Sequence, residues 1–370
     1  MSAKTVEDIA LTLIPGIGVK GVVHLLEVFG SAERVFAASE EELAVRAALR
    51  RDLAQRIVRR EGFAAAEREA AHCVRHGLCA VASTDGAYPS LLRETPDYPH
   101  IIYVKGDPAV LAGPCVSVVG TRDASAYGQK MCARIVHELI ERVPGVCIVS
   151  GLAFGIDAAA HRAALEAGGA TAAVLPCPLP DVVPAQHTAL AREILERGGA
   201  LVTELHSQVK QKGAFYLARN RIIAGLAAGT VVVESPCGGG SLMTAHCADG
   251  YGRSVMAVPG RADDPSSRGA NLLIRNHKAQ LVLSAADVVE ELMWDVDLPG
   301  AAARAERARP ELTAAEASLL ASFPASDAVT LDELVVRTGQ GAPELSAVLL
   351  GLEMAGAVRQ LPGNRYLRLL

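Results

Sequence analysis

Aromatic residues are scarce. Phe, Tyr and Trp make up 4% of the chain, with a single Trp. An aromatic pair set among cations therefore stands out. Excess positive charge is missing as well: the formal net charge is −5. Residues 1–84 carry 11 basic and 11 acidic groups, residues 85–310 carry 21 and 23, and residues 311–370 carry 4 and 7. No segment is basic overall, so a nucleic-acid site must be a local patch. The eight cysteines form no CxxC pair, and no Cys/His group has zinc-ligand spacing. Most lie in apolar runs such as Val146-Cys147-Ile148, where a thiol acts as a small buried hydrophobe, as expected in a reducing cytoplasm. No apolar run reaches membrane-spanning length. The opening MSAKTVEDIALTL has acidic residues and no long apolar core, so it does not read as a signal peptide. There is no GxxxxGK[ST], which excludes a P-loop NTPase, and no GxGxxG after the first strand, which argues against a dinucleotide cofactor. No cofactor and no metal is expected.

What is present is a large apolar fraction. Half of the 370 residues are hydrophobic, enough for a sizeable core, and the length predicts two or three domains. Residues 1–77 read as a helical domain, with apolar positions at helical spacing. Within it, Leu13-Ile14-Pro15-Gly16-Ile17-Gly18 followed by Leu25-Leu26 resembles a helix-hairpin-helix, whose turn exposes N–H groups to phosphate. A plain helix–helix turn explains the same glycines. Ser39 with Glu42 reads as a capping box.

From residue 78 to 297 the pattern changes to short hydrophobic runs alternating with helices. The runs are Val116–Val119, Cys147–Val149, Ala172–Leu175, Leu201–Glu204, Val231–Glu234 and Val255–Val258, with a further one at Leu281–Leu283. Such alternation predicts an α/β fold: an extended, mostly parallel Rossmann-like sheet covered on both faces. Ligands bind beyond the carboxyl ends of strands in sheets of this kind. Three strand-to-helix loops there are rich in glycine: Gly120-Thr121-Arg122, Ser150-Gly151-Leu152-Ala153-Phe154-Gly155-Ile156-Asp157, and Pro236–Ser241 leading to Thr244. Free N–H groups at helix starts attract anions, and Arg122 adds a guanidinium fork for phosphate. Asp157 and His161 share a helix face, but no nucleophile accompanies them, so capping and a structural hydrogen bond explain them better than acid–base chemistry.

Another stretch completes the pattern. Lys212, Phe215, Tyr216, Arg219, Asn220 and Arg221 combine cations, aromatics and an amide at the start of a helix. That combination suits a groove that stacks bases and holds phosphates, and a helix N-terminus with ordinary surface charges explains the same residues.

These residues fall in blocks that resemble the DNA-processing protein A (DprA, also called Smf) family. The blocks run in order: Tyr88–Leu92, Ile102–Asp107, Val118–Arg122, Tyr127-Gly128, Ser150–Asp157 with Ala160-His161, Arg219–Leu226, Gly240–Ala245, Ala257–Gly260 and Gly269–Ile274. The resemblance implies a Rossmann-like domain that binds single-stranded DNA, a homodimer, and delivery of that DNA to the RecA recombinase in natural transformation, without catalysis. It implies phosphate contact for Arg122 and Lys212, base contact for Phe215, and backbone contacts from the glycine loops, including Gly120, Gly151, Gly155 and Gly240, together with Ser150, Ala153, Ser241 and Thr244. The family's text before the Arg-Asn-Arg block is one residue shorter than here, so Tyr216 competes with Phe215 for the stacking role. A nucleotide-acting enzyme of the phosphoribohydrolase type is the alternative. Its Pro-Gly-Gly-x-Gly-Thr spelling is absent, with Ser241 at the Thr position.

Residues 298–310 read as a charged, Ala-rich linker. Residues 311–370 suggest three short helices and a hairpin around Pro362-Gly363-Asn364, a winged-helix pattern. Its third helix, about 343–355, has Glu344 and Glu353 and no Lys or Arg, so it is not expected to read a DNA groove. Leu345, Val348, Leu349 and Leu352 are its expected core.

Overall fold

The structure is a computed structural model, which describes residues 3–210, 212–294, 313–323, 329–354, 357–361 and 365–368. Two compact units divide the chain at Val296. The expected linker and the tip of the expected hairpin lie outside the described residues.

The first unit is built on a nine-stranded sheet. Its strands are β1 (Cys79–Ala82), β2 (Ile101–Gly106), β3 (Cys115–Val119), β4 (Cys147–Ser150), β5 (Ala170–Val174), β6 (Ala200–Thr203), β7 (Gly229–Val232), β8 (Ser254–Ala257) and β9 (Gln280–Leu281). The spatial order is β1-β2-β6-β5-β4-β3-β7-β8-β9. From β6 to β9 every pairing is parallel. All seven expected strands are therefore present. β1 and β2 were not foreseen; they extend the β6 edge in antiparallel register.

Burial explains why the parallel strands were visible. β3, β4, β6 and β7 are buried at every position, because helices cover both faces and both side-chain sets must be apolar. The helices Ala126–Arg142 and Ile156–Glu166 carry the chain from β3 to β4 to β5, and Gly240–Gly250 carries it from β7 to β8. The sheet thus winds outward from β3 in one direction and from β7 in the other. Right-handed crossovers in opposite directions place the two sets of helices on opposite faces.

Six helices precede the sheet: Ala3–Thr12, Val19–Phe29, Ala32–Ala37, Glu40–Arg46, Arg51–Val58 and Phe63–His76. Ser39 and Glu42 form the expected reciprocal cap. Gly16, at φ +88°, makes the turn between the first two helices. The change of secondary structure near residue 77 is not a break in packing. Ile9, Leu25 and Phe36 share one hydrophobic cluster with Ile101, Leu165 and Leu201. Buried polar contacts cross the same seam. His100 Nε2 donates to Asp8 Oδ1 at 3.1 Å while Ser83 Oγ donates to His100 Nδ1 at 2.8 Å. The Ser207 N–H donates to Glu69 at 2.9 Å.

The second unit has the helices Ala314–Ala321, Leu331–Thr338 and Ala342–Met354. Its strands are β10 (Val329–Thr330), β11 (Val358–Leu361) and β12 (Arg365–Arg368), in the order β10-β12-β11. Leu345, Leu349 and Leu352 are buried with Leu334 and Phe323, and Val348 packs against them. Glu344 and Glu353 are exposed. Among the described residues no helix is long and apolar enough to cross a membrane.

Candidate nucleic-acid interface

β3 and β7 are neighbours that send their chains in opposite directions, so the crevice beyond their carboxyl ends is the topological switch point of the sheet. A cleft of about 400 Å³ lies there. It is lined by Gly120, Thr121, Arg122, Ala153, Arg219, Asn220, Gly240, Ser241 and Thr244, all singled out in the sequence. Asp157, Tyr216, Leu217 and Ile223 line it as well.

The backbone around the cleft is fixed by close approach. Gly155 has φ +73°, and a Cβ there would strike the Thr121 and Arg122 backbone. The second glycine loop thus buttresses the first. Glu234, buried at the end of β7, holds the first loop twice. Its carbonyl accepts the Thr121 N–H at 2.7 Å, and its carboxylate accepts the Ser125 N–H at 2.9 Å and the Ser266 hydroxyl at 2.8 Å. Ser125 Oγ then caps the helix Ala126–Arg142.

This network alters the expected anion rim. The Thr121 N–H is taken by Glu234. The Gly151 and Ala153 N–H groups both donate to Asp157 Oδ2, at 3.1 and 3.4 Å. These three N–H groups are therefore already taken by the protein's own acceptors, the Glu234 carbonyl and the Asp157 carboxylate. Ser150 is buried and its hydroxyl donates to the Val118 carbonyl. Ser150, Gly151 and Gly155 support the cleft from behind rather than line it. The helix Ile156–Glu166 has no side-chain cap, but its Ile156 N–H donates to the Thr121 carbonyl at 3.1 Å; the helix Gly240–Gly250, with N-cap Gly239, has no side-chain cap either. Among the described residues its first N–H groups, at Gly240 and Ser241, meet no protein acceptor, so this is the helix start left open to an anion.

The Arg-Asn-Arg block splits three ways. Arg219 is buried, and its Nη1 donates to the carbonyls of Gly151 and Val174, tying the ends of β4 and β5 together. Burial pushes its guanidinium down and the Asp157 carboxyl up, and each charge opposes the shift of the other. Asn220 accepts from Arg219 Nε and donates to the Gly240 carbonyl at 3.2 Å, which positions the open helix start. Arg221 points away from the cleft. Its Nη2 pairs with Glu204 and its Nη1 donates to the Asp97 carbonyl at 2.6 Å. The expectation that Arg221 joins the rim is not met: residues two apart on a helix lie about 200° apart.

Arg122 is exposed, and among the described residues no carboxylate pairs with it. Its guanidinium carbon lies 5.4 Å from the centre of the Tyr216 ring, a cation–π contact. Tyr216, not Phe215, enters the lining. Tyr216, Arg219, Asn220 and Ile223 fall at i, i+3, i+4 and i+7, one helix stripe. That periodicity was the signal that separates Tyr216 from Phe215. Phe215 is half-buried outside the lining, and Lys212 is exposed before the helix. His161 does not face Asp157. Its Nδ1 donates to Thr171 Oγ1 at 2.7 Å, and burial pushes it down to about 3, so it is neutral. Among the described residues no cluster suits a metal ion.

Fold and cleft together define a class: a doubly wound α/β protein with a cationic, ring-bearing crevice at its switch point. The comparisons with known proteins agree. Residues 80–293 match the family model of DNA recombination-mediator protein A, and residues 303–364 match the DprA winged helix domain. This chain belongs to the DprA/Smf family. It is 39% identical over 286 residues to Protein Smf of Escherichia coli, covering 76% of this chain and 75% of that protein. The crystal structure of DNA processing protein A from Streptococcus pneumoniae superposes with a TM-score of 0.68 at 31% identity, covering 79% of this chain and 99% of that one. DNA processing protein A from Helicobacter pylori, whose structure concerns its single-stranded-DNA binding mode, gives 0.52 at 26% identity, covering 59% and 96%.

Proposed function

We propose that this protein binds single-stranded DNA in the switch-point cleft, shields incoming strands and loads the RecA recombinase onto them during natural transformation. It acts in the cytoplasm as a homodimer and catalyses no reaction. The observation that carries this reading is Arg122. It is the exposed cation of the cleft, seated against the Tyr216 ring and facing a crevice whose open helix start is at Gly240 and Ser241. A guanidinium with helix N–H groups suits a phosphate, and a ring beside them suits a base of any sequence. The Helicobacter pylori relative, which binds single-stranded DNA, supports carrying that ligand over. For the absence of catalysis, the support is that His161 is turned to Thr171, Asp157 is spent on two N–H groups and the Ser241 hydroxyl donates to Ser235 Oγ at 2.9 Å.

Binding of an oligo-dT strand by fluorescence anisotropy at several salt concentrations tests the site. Parent affinity falls steeply with salt, and Arg122→Ala binds every sequence more weakly. Equal affinities for a folded Arg122→Ala and the parent at matched salt overturn the site. Recombinase filament formation on strands coated with a single-strand-binding protein tests the loading role: no acceleration by this protein overturns it.

A further inference from the structure

Among the described residues only two aromatic side chains are exposed, Tyr127 at 46% and Phe154 at 44%. Both lie beyond the carboxyl ends of parallel strands, Tyr127 after β3 and Phe154 after β4. Tyr127 is tied down, since its hydroxyl donates to the Pro259 carbonyl at 2.7 Å. Phe154 has no polar atom to tie. It stands at the tip of the Ser150–Asp157 loop, next to Ala153 of the cleft lining.

That loop is rigid around Phe154. Asp157 takes the N–H groups of Gly151 and Ala153. The buried Leu152 sits at φ +56°, a conformation rare for a branched side chain, and its carbonyl accepts His187 Nδ1 at 2.7 Å. The His187 ring in turn meets the Phe154 ring edge-on, with centres 4.8 Å apart and planes at 61°. Leu152 points inward and Phe154 outward, so the strained backbone has the effect of presenting one ring to solvent. A loop that needed only to turn would gain by putting a polar residue there. The ring is held in place before any ligand arrives, which lowers the entropy cost of stacking on it.

We propose that Phe154 is a second base-stacking residue, so that a single strand crosses from the Arg122–Tyr216 cleft, past Ala153, onto Phe154. This rests on the reading of the cleft as a single-stranded-DNA site. Stacking on a ring is sequence-tolerant and adds no charge contact. The two positions therefore differ in salt dependence.

The test measures oligo-dT affinity and its salt slope for the parent, Arg122→Ala, Phe154→Ala, Phe154→Leu and Phe154→Trp. Phe154→Ala is expected to bind about 5- to 100-fold more weakly with an unchanged salt slope. Phe154→Leu keeps an apolar contact for His187 but has no π face, so it is expected to share the loss. Phe154→Trp is expected to retain affinity, and in a Trp294→Phe background its fluorescence is quenched by oligo-dT and not by a strand of abasic sites. If Phe154→Ala misfolds by circular dichroism, Phe154→Leu and the quenching decide. Affinity of Phe154→Leu within about twofold of the parent, alongside a loss in Arg122→Ala, overturns the role of Phe154 and leaves the cleft standing. Parent-like binding by both variants overturns the cleft and this proposal together.

Discussion

Two hollows in this molecule are made from the same parts. The switch-point cleft combines glycine loops, a helix start without a side-chain cap, and an arginine. The hollow beside the N-terminal turn, about 550 Å³, combines Gly16, Gly18 and Gly21, the uncapped start of Val19–Phe29, Lys20 and Arg221. Residue types do not tell them apart, but their arginines differ in charge compensation. Arg221 is paired with Glu204 and lies 4.0 Å from the Asp97 carboxylate, so the guanidinium that reaches the N-terminal hollow is already neutralised. Arg122 faces solvent and a ring. A glycine turn with an arginine nearby is thus a description of geometry, and the partner of the arginine decides what it offers an anion; at the N-terminal hollow exposed Lys20 is the cation that remains.

The largest effect on the cleft is expected from Arg219→Ala. It breaks the tie between the ends of β4 and β5 and leaves the buried carbonyls of Gly151 and Val174 without their charged donor. Leaving a buried acceptor unsatisfied costs about 1–3 kcal/mol, so urea unfolding should show a clear loss of stability together with loss of DNA binding. A variant of parent stability that has lost affinity would instead make Arg219 a direct ligand. Next comes Arg122→Ala. A hydrogen bond to a charged group is worth about 1.5–3 kcal/mol, so affinity should fall at least about tenfold with stability unchanged. For single strands the salt slope should shrink by about 0.7 for the phosphate contact removed.

Third in size is the choice between neighbours. Tyr216→Ala should weaken oligo-dT binding about 5- to 10-fold, and Phe215→Ala by less than about twofold. The reverse ranking would mean that the strand approaches from the other side of the helix. The comparison of these two residues also shows what was legible in the sequence. The central parallel strands were readable because strands buried on both faces are near-continuous apolar runs, whereas β9 is exposed at both positions and meets its expected run only at Leu281. β1 was not readable, because Cys79 is exposed at the sheet edge; β2 is an apolar run buried from Ile101 to Val104 and was readable by the same rule, but went unread. The glycine loops were readable because their spelling carries the backbone requirement. Orientation around the helix Ala214–Gly225 was available too. The stripe through Tyr216, Arg219, Asn220 and Ile223 is fixed by the helical period alone. What no spacing could reveal was that Glu234, arriving from beyond β7, already occupies the Thr121 and Ser125 N–H groups, because those contacts join residues from separate loops.

The smallest effect on binding is expected at the other hollow, from Arg221→Met. Its guanidinium does not reach the cleft, so oligo-dT affinity should stay within about twofold of the parent once folding is matched. Stability should still respond, in a pH-dependent way. Burial raises the Glu204 carboxyl above its usual range, and the adjacent Arg221 guanidinium is the main influence pulling it back. Without Arg221 the folded-state value rises further. A carboxyl raised in the folded state binds more protons folded than unfolded, so stability is retained below the unfolded value and lost as pH rises through the folded one. The variant's deficit should therefore be largest at neutral pH and shrink as pH falls toward the ordinary carboxylate range, where Glu204 is protonated in both states. Thermal melts at pH 7.5 and pH 5 read this directly. A deficit that is the same at both values would show that Glu204 is not left charged and uncompensated. A loss of DNA binding in folded protein would show that the N-terminal hollow, not only the switch-point cleft, carries the strand.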